Sequence, residues 1–142
     1  TFWTERIGPT AALATLKVME REKSWEKITE TGIKMQKGWV NLAQANHLNI
    51  TVSGIPAMTT YGFNYDNAAA YKTYITQEML KKGFLASPNF FACTQHNDEH
   101  LDLYFDALSD IYHTIHKCES DAIDISSLLD GPVCHSGFKR LN

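Results

Sequence analysis

Two histidines four residues apart, His96 and His100, enclose Asn97-Asp98-Glu99, and the string HNDEH has the H-x-x-E-H spacing of a zinc hydrolase site. Zinc there needs both imidazoles on one helical face at i and i+4, a carboxylate beside them as base, and a third ligand further on. Asn97 reads instead as a helix cap, followed by two acids in the first turn where free N–H groups and the helix dipole favour them. His96 then falls outside the helix and the metal geometry is lost. His113, His116 and Cys118 close the same helix and Cys134-His135 lie in the tail. Their spacing fits no standard zinc pattern, so no metal site is expected. Every lysine sits in a polar or amphipathic helical context or in the tail, none in the apolar surroundings that lower a lysine's pKa for Schiff-base chemistry. Phosphate-binding loops, dinucleotide fingerprints and serine-nucleophile elbows are absent from the sequence. On its residues alone the chain carries no catalytic group.

The elements that would position these side chains are read from periodicity. After Gly8-Pro9, a proline suited to a first helical turn, the run TAALATLKVMERE is apolar almost all round: Ala11, Ala12, Leu13, Ala14, Leu16, Val18, Met19. Burial on so many sides calls for partners beyond one small domain. From Lys23 to His47 the stripe Trp25, Ile28, Met35, Trp39, Leu42 predicts one long amphipathic helix that Gly32 bends or thins. Leu48, Ile50 and Val52 alternate as a half-buried strand, Ser53-Gly54 reads as a turn, and IPAMTTYGF as the returning strand. Asp66-Asn67 should cap a third helix that Gly83 closes. A short strand is expected at Asn89–Cys93, then a last helix with Leu101, Tyr104, Leu108, Ile111 and Ile115 on one face. From Glu119 the pattern fades into a loop-like tail. This order predicts an α+β fold, a small antiparallel sheet covered by helices.

The bulk properties narrow the classes. The 142 residues are 44% hydrophobic and 20% charged, with a formal net charge of −3. A mildly acidic chain gives no footprint for nucleic acid or an anionic membrane surface. The tyrosines and phenylalanines have no basic stripe beside them and read as core rather than a base-stacking platform. Cys93, Cys118 and Cys134 are odd in number with no CxxC pair, which predicts a reducing cytoplasm. No apolar run reaches 18 residues.

Against that background the opening stretch stands out. TFWTERIGPTAALATL resembles, position for position and without a gap, the segment GTxxGNPxAxAAxLATL of class-III aminotransferases, fold type I pyridoxal-phosphate enzymes that include the glutamate-1-semialdehyde aminomutases. Thr1 falls on that family's threonine, Ile7 on its aliphatic residue, and Ala11–Leu16 on the start of its connecting helix. Downstream, KKGFLASPNFFACTQHNDEHLDLYFDALSDIY is similar to GxxxxPxxFxxxFLSxAHTxEDIDxxL, with His96, Asn97 and Asp102 on its histidine, cap and later aspartate.

The resemblance implies the C-terminal third of a longer enzyme. Residues 1–21 would be an active-site loop and connecting helix, 22–118 the small C-terminal domain, and 119–142 a tail outside the general pattern. It implies pyridoxal phosphate as cofactor in a homodimer, with Thr1 bonding the cofactor phosphate of the neighbouring subunit. The Schiff-base lysine would lie upstream of Thr1, leaving this chain inactive alone. Three departures bear on substrate. Thr4-Glu5-Arg6 replaces the family's Gly-Asn-Pro, Pro88 stands where the aminomutases carry a glutamate, and no arginine for a substrate carboxylate occurs in SPNFFACT. An aminotransferase acting on a small-molecule amino donor and acceptor such as an amino sugar is the leading expectation. The alternatives are an aminomutase, a stand-alone binding or dimerisation module, and a zinc hydrolase.

Overall fold

The structure, a computed structural model, describes residues 4–135 and 137. Among these, the order is α1 (Ile7–Glu22), α2 (Ser24–Ala45), β1 (Ile50–Ile55), β2 (Met58–Phe63), α3 (Ala68–Lys81), β3 (Asn89–Phe91) and α4 (Asp98–Glu119), then a 3₁₀ turn at Ile125–Leu128. The strands form one antiparallel sheet, β1-β2-β3. The fold is α+β, as the sequence predicts.

Residues paired directly across strands share a face. The register Val52↔Tyr61, Ile50↔Phe63 and Thr59↔Phe90 therefore puts these six side chains on one side, and Thr60↔Asn89 and Ile55↔Met58↔Phe91 on the other. α2 and α3 pack against the sheet, and α4 packs on both helices. Met35, Trp39 and Ala43 of α2, Tyr71, Ile75 and Met79 of α3, and Leu108, Ile111, Tyr112 and Ile115 of α4 meet Tyr61 and Phe63 in a single core. The Trp39 ring lies 4.6 Å from Tyr61 and its Nε1–H donates to the Tyr104 hydroxyl at 3.1 Å.

Four local features differ from the sequence reading. The hairpin turn is Pro56-Ala57, since Ile55 pairs Met58, and Ser53 and Gly54 stay inside β1. Gly54 has φ +88°, and a Cβ there would lie 2.5 Å from the Met58 carbonyl oxygen, so this glycine serves the ladder rather than the turn. Gly32 marks a contact: a Cβ would lie 1.8 Å from the Pro56 carbonyl oxygen, so the hairpin backbone presses directly on α2. Asn67 precedes α3 without a side-chain capping bond, because Tyr65 and Asn67 supply carbonyls to Ala68 N–H and Tyr71 N–H instead. The tail is docked on α3. Ile125 is buried, Gln77 Nε2 donates to the Leu128 carbonyl, Gln77 Oε1 accepts from Asp130 N–H, and Lys81 pairs with Asp130 at 2.9 Å. Gly83, by contrast, closes α3 as expected, at φ +87° with Phe84 N–H donating to the Met79 carbonyl at 2.9 Å.

The Gly32 contact is with backbone, which cannot swing aside. Gly32→Ala should therefore destabilise the chain by about 3 kcal/mol in urea unfolding. Gly62→Ala, where a Cβ meets nothing within 4 Å, should stay within about 0.5 kcal/mol of the parent.

Candidate functional site

The opening segment is the first candidate. Thr1, the expected cofactor residue, lies outside the described residues, as do Phe2 and Trp3. A few residues on, the Glu5 carboxylate accepts from the backbone N–H groups of Ile7 and Gly8. Glu5 thus caps α1 and satisfies donors that would otherwise be free at its N-terminus. α1 itself contains no buried residue. Ile7, Leu13 and Leu16 are 80%, 61% and 59% exposed, and Val18 and Met19 are also exposed. Lys23, in the left-handed region at φ 48°, separates α1 from α2, and α1 leans only on α2 among the principal packing pairs.

The histidine pair is the second. α4 begins at Asp98, and Asn97 Oδ1 accepts from His100 N–H at 2.9 Å. Asp98 and Glu99 occupy the first turn, and Asp98 also pairs with Lys34 of α2. His96 lies before the helix, its Nδ1 accepting from Cys93 N–H at 3.1 Å, while its ring packs 4.9 Å from Phe90. A lone pair spent on a backbone donor leaves neutral His96 with its hydrogen on Nε2 and no free lone pair for a metal. Burial and the neighbouring His100 hold its pKa below the usual value. Among the described residues no group of three or more His, Cys, Asp or Glu side chains could hold a metal ion. His116 sits instead beside His47, Cys118 is buried, and Cys134 Sγ faces the Ala69 carbonyl at 3.5 Å.

A third feature was invisible to sequence reasoning. The tail returns over the start of α3, Cys134 N–H donating to Thr73 Oγ1 at 2.9 Å. Together with Thr60 and Asn89 of the sheet, Pro88, and Lys72, the segment Cys134-His135 encloses a cleft of about 410 Å³. Its signal was spread over side chains with no periodicity: a threonine on α3, a cysteine in the tail and an asparagine on an edge strand. Elsewhere, the Glu78 and Asp130 carboxylates hold Lys81 protonated, and Asp98 does the same for Lys34, both lysines being exposed.

No protein-family model matches the chain. Among curated proteins it is similar to the glutamate-1-semialdehyde 2,1-aminomutase of Clostridium botulinum (strain Alaska E43 / Type E3), 27% identical over 71% of this chain and 27% of that protein. The corresponding enzyme of Clostridium perfringens (strain SM101 / Type A) is 29% identical over 71% of this chain and 28% of its own length. The chain thus spans little more than a quarter of the relatives it matches. Among solved structures, the pyridoxal-phosphate internal aldimine form of the FumI protein of Sphingopyxis sp. MTA144 has the same fold, with a TM-score of 0.71 at 18% identity over 90% of this chain and 31% of that one. The resemblance to class-III pyridoxal-phosphate enzymes that the two sequence segments carry is matched by these likenesses.

The Asn97 cap and the His96 acceptor have separate consequences. Asn97→Ala should lower unfolding free energy by about 1 kcal/mol, and Asn97→Asp by much less. His96, with its folded pKa below the ordinary 6.5, binds a proton more readily when unfolded. Its contribution is therefore intact above pH 6.5 and lost as the pH falls below it, so denaturation midpoints should drop over that interval. In His96→Asn, whose amide oxygen accepts from Cys93 N–H without titrating, this part of the profile should flatten.

Proposed function

We propose that this chain is the C-terminal small domain of a pyridoxal-phosphate-dependent aminotransferase or aminomutase, working as part of a homodimer. The observation that carries the reading is α1. An isolated domain does not keep five large apolar side chains in water on a helix without a buried residue. The aminomutases it resembles are about three times as long, and in our reading a large domain and a partner subunit cover this helix.

The described residues do not by themselves make a cofactor site. The first N–H groups of α1, which could otherwise cradle a phosphate, are taken by the Glu5 carboxylate, which would repel an anion. Phosphate contact in this chain falls to Thr1, whose hydroxyl would donate to the phosphate held by the neighbouring subunit. Pyridoxal phosphate supplies an electron sink for amino-group transfer. The ring pocket and the Schiff-base lysine would belong to the remainder of the enzyme.

The substrate we propose is an amino sugar or another small amine whose carboxylate, if any, is not clamped by this domain. Between Ser87 and Thr94 there is no arginine, and the open sheet face offers neutral hydrogen-bonding groups, Ser53, Thr60 and Asn89. Such groups suit hydroxyls better than an anion.

The test separates the chain from the whole enzyme. Leu16→Glu in this chain alone should change stability by no more than about 0.5 kcal/mol, because Leu16 is already in water. In the full-length protein the same substitution should disrupt the dimer and weaken cofactor retention. This chain mixed with pyridoxal phosphate should give no stoichiometric, borohydride-trapped adduct at one lysine. Such an adduct, or a full-length Leu16→Glu protein that dimerises and retains cofactor normally, would overturn the reading.

A further inference from the structure

The connection from β3 to α4 folds back so that the rings of His96 and His100 line a cleft of about 340 Å³, together with Phe84, Phe90, Tyr104 and Met35. That volume is at the small end of the range for ligand pockets. Its walls are aromatic, with Phe84 and Tyr104 edge to face at 6.1 Å and Phe90 beside His96.

The hydrogen-bonding character of the two imidazoles is set by the bond each Nδ1 already makes. Cys93 N–H can only donate, so His96 Nδ1 is the acceptor and the ring carries its hydrogen on Nε2. The Gln95 carbonyl can only accept, and it lies 3.2 Å from His100 Nδ1, so that nitrogen carries the hydrogen and neutral His100 keeps a lone pair on Nε2. His96 thus keeps an Nε2 donor, and neutral His100 an Nε2 acceptor, for a partner at the cleft these residues line.

A carboxylate accepts but cannot donate, so above the usual imidazole range it satisfies His96 and faces the lone pair of neutral His100. An ammonium donates but cannot accept, so it meets the N–H of His96. A primary carboxamide does both from one planar group. We propose that this cleft is a binding site for a neutral aromatic carboxamide, whose carbonyl oxygen accepts from His96 Nε2–H, whose N–H donates to His100 Nε2, and whose ring packs against Phe84, Phe90 and Tyr104. Nothing in this site draws on Thr1, α1 or the cofactor, so it stands apart from the proposed transferase chemistry.

Long-range proton–nitrogen NMR spectra of the 142-residue chain at about pH 8.5, above the usual imidazole range, titrated with benzamide, benzoate and benzylammonium, provide the test. His96 should appear as the Nε2–H tautomer and His100 as the Nδ1–H tautomer. Benzamide should shift the nitrogens of both rings and bind about tenfold more tightly than either charged analogue, the value of one mismatched hydrogen bond. His100→Phe, an exposed position, should remove that preference, whereas Lys72→Ala in the other cleft should leave it unchanged. Two Nε2–H tautomers, equal affinity for the three probes, or an unchanged preference in His100→Phe would each overturn the proposal.

Discussion

The indole of Trp39 holds this fold together. It is 1% exposed, stacks at a tilt on Tyr61 of β2, meets Phe90 of β3 edge-on at 6.5 Å, and donates its N–H to Tyr104 of α4. One side chain on α2 thereby fixes two strands and a helix that are distant in sequence. It can do so because Gly32 and Gly38 let α2 come close. At Gly32 the hairpin backbone enters the space of a Cβ, and at Gly38 the ring of Phe105 does. The interior is aromatic: the hydroxyls of Tyr61 and Tyr112 are buried side by side, with no well-aligned hydrogen-bond partner among the described residues. Burial pushes the phenols of both well above their usual range and that of Tyr104 up to about 12, so all three stay neutral.

The rigidity of that core contrasts with two surfaces that lack cover. α1 has no buried residue and packs on the body chiefly through α2. On the far side of the sheet, Ile55, Met58 and Phe91 stand in one cross-strand row, each more than half exposed. A row that crosses all three strands is larger than the scattered apolar residues any surface carries. The core residues are tied to each other, while these surfaces lie largely open in the described chain. That division, a closed interior beside two open apolar faces, suits the proposed place of the chain in a larger enzyme.

Much of this was legible in the sequence where the chemistry is local. Asn97 could be read as a cap because asparagine followed by two acids satisfies free helix donors wherever it occurs, and Gly83 as a stop because few other residues tolerate its φ. The run of helix formers at Ala11–Met19 predicted a helix, and α1 spans it. Features that depend on distant contacts were not legible. Ser53-Gly54 has the composition of a turn, yet the turn fell at Pro56-Ala57 because Gly54 serves the strand ladder. Gly32 looked like a weak point in a helix and is a contact with a hairpin more than twenty residues away. The tail reads as a loop because Gln77 and Thr73, which hold it, carry no periodic signal. The roles of His96 and His100 depend on single bonds to Cys93 and Gln95, which no motif encodes.

The central claim is that α1 is built to be covered by parts of an enzyme outside this domain. Hydrogen exchange along α1, followed in this chain alone and in the full-length protein, tests it most directly. In the chain alone, α1 amides should exchange far faster than those of α2 and α4, and in the full-length protein they should become as protected as theirs. Protection of α1 equal to that of α2 in the chain alone, or no gain of protection in the full-length protein, would contradict the claim.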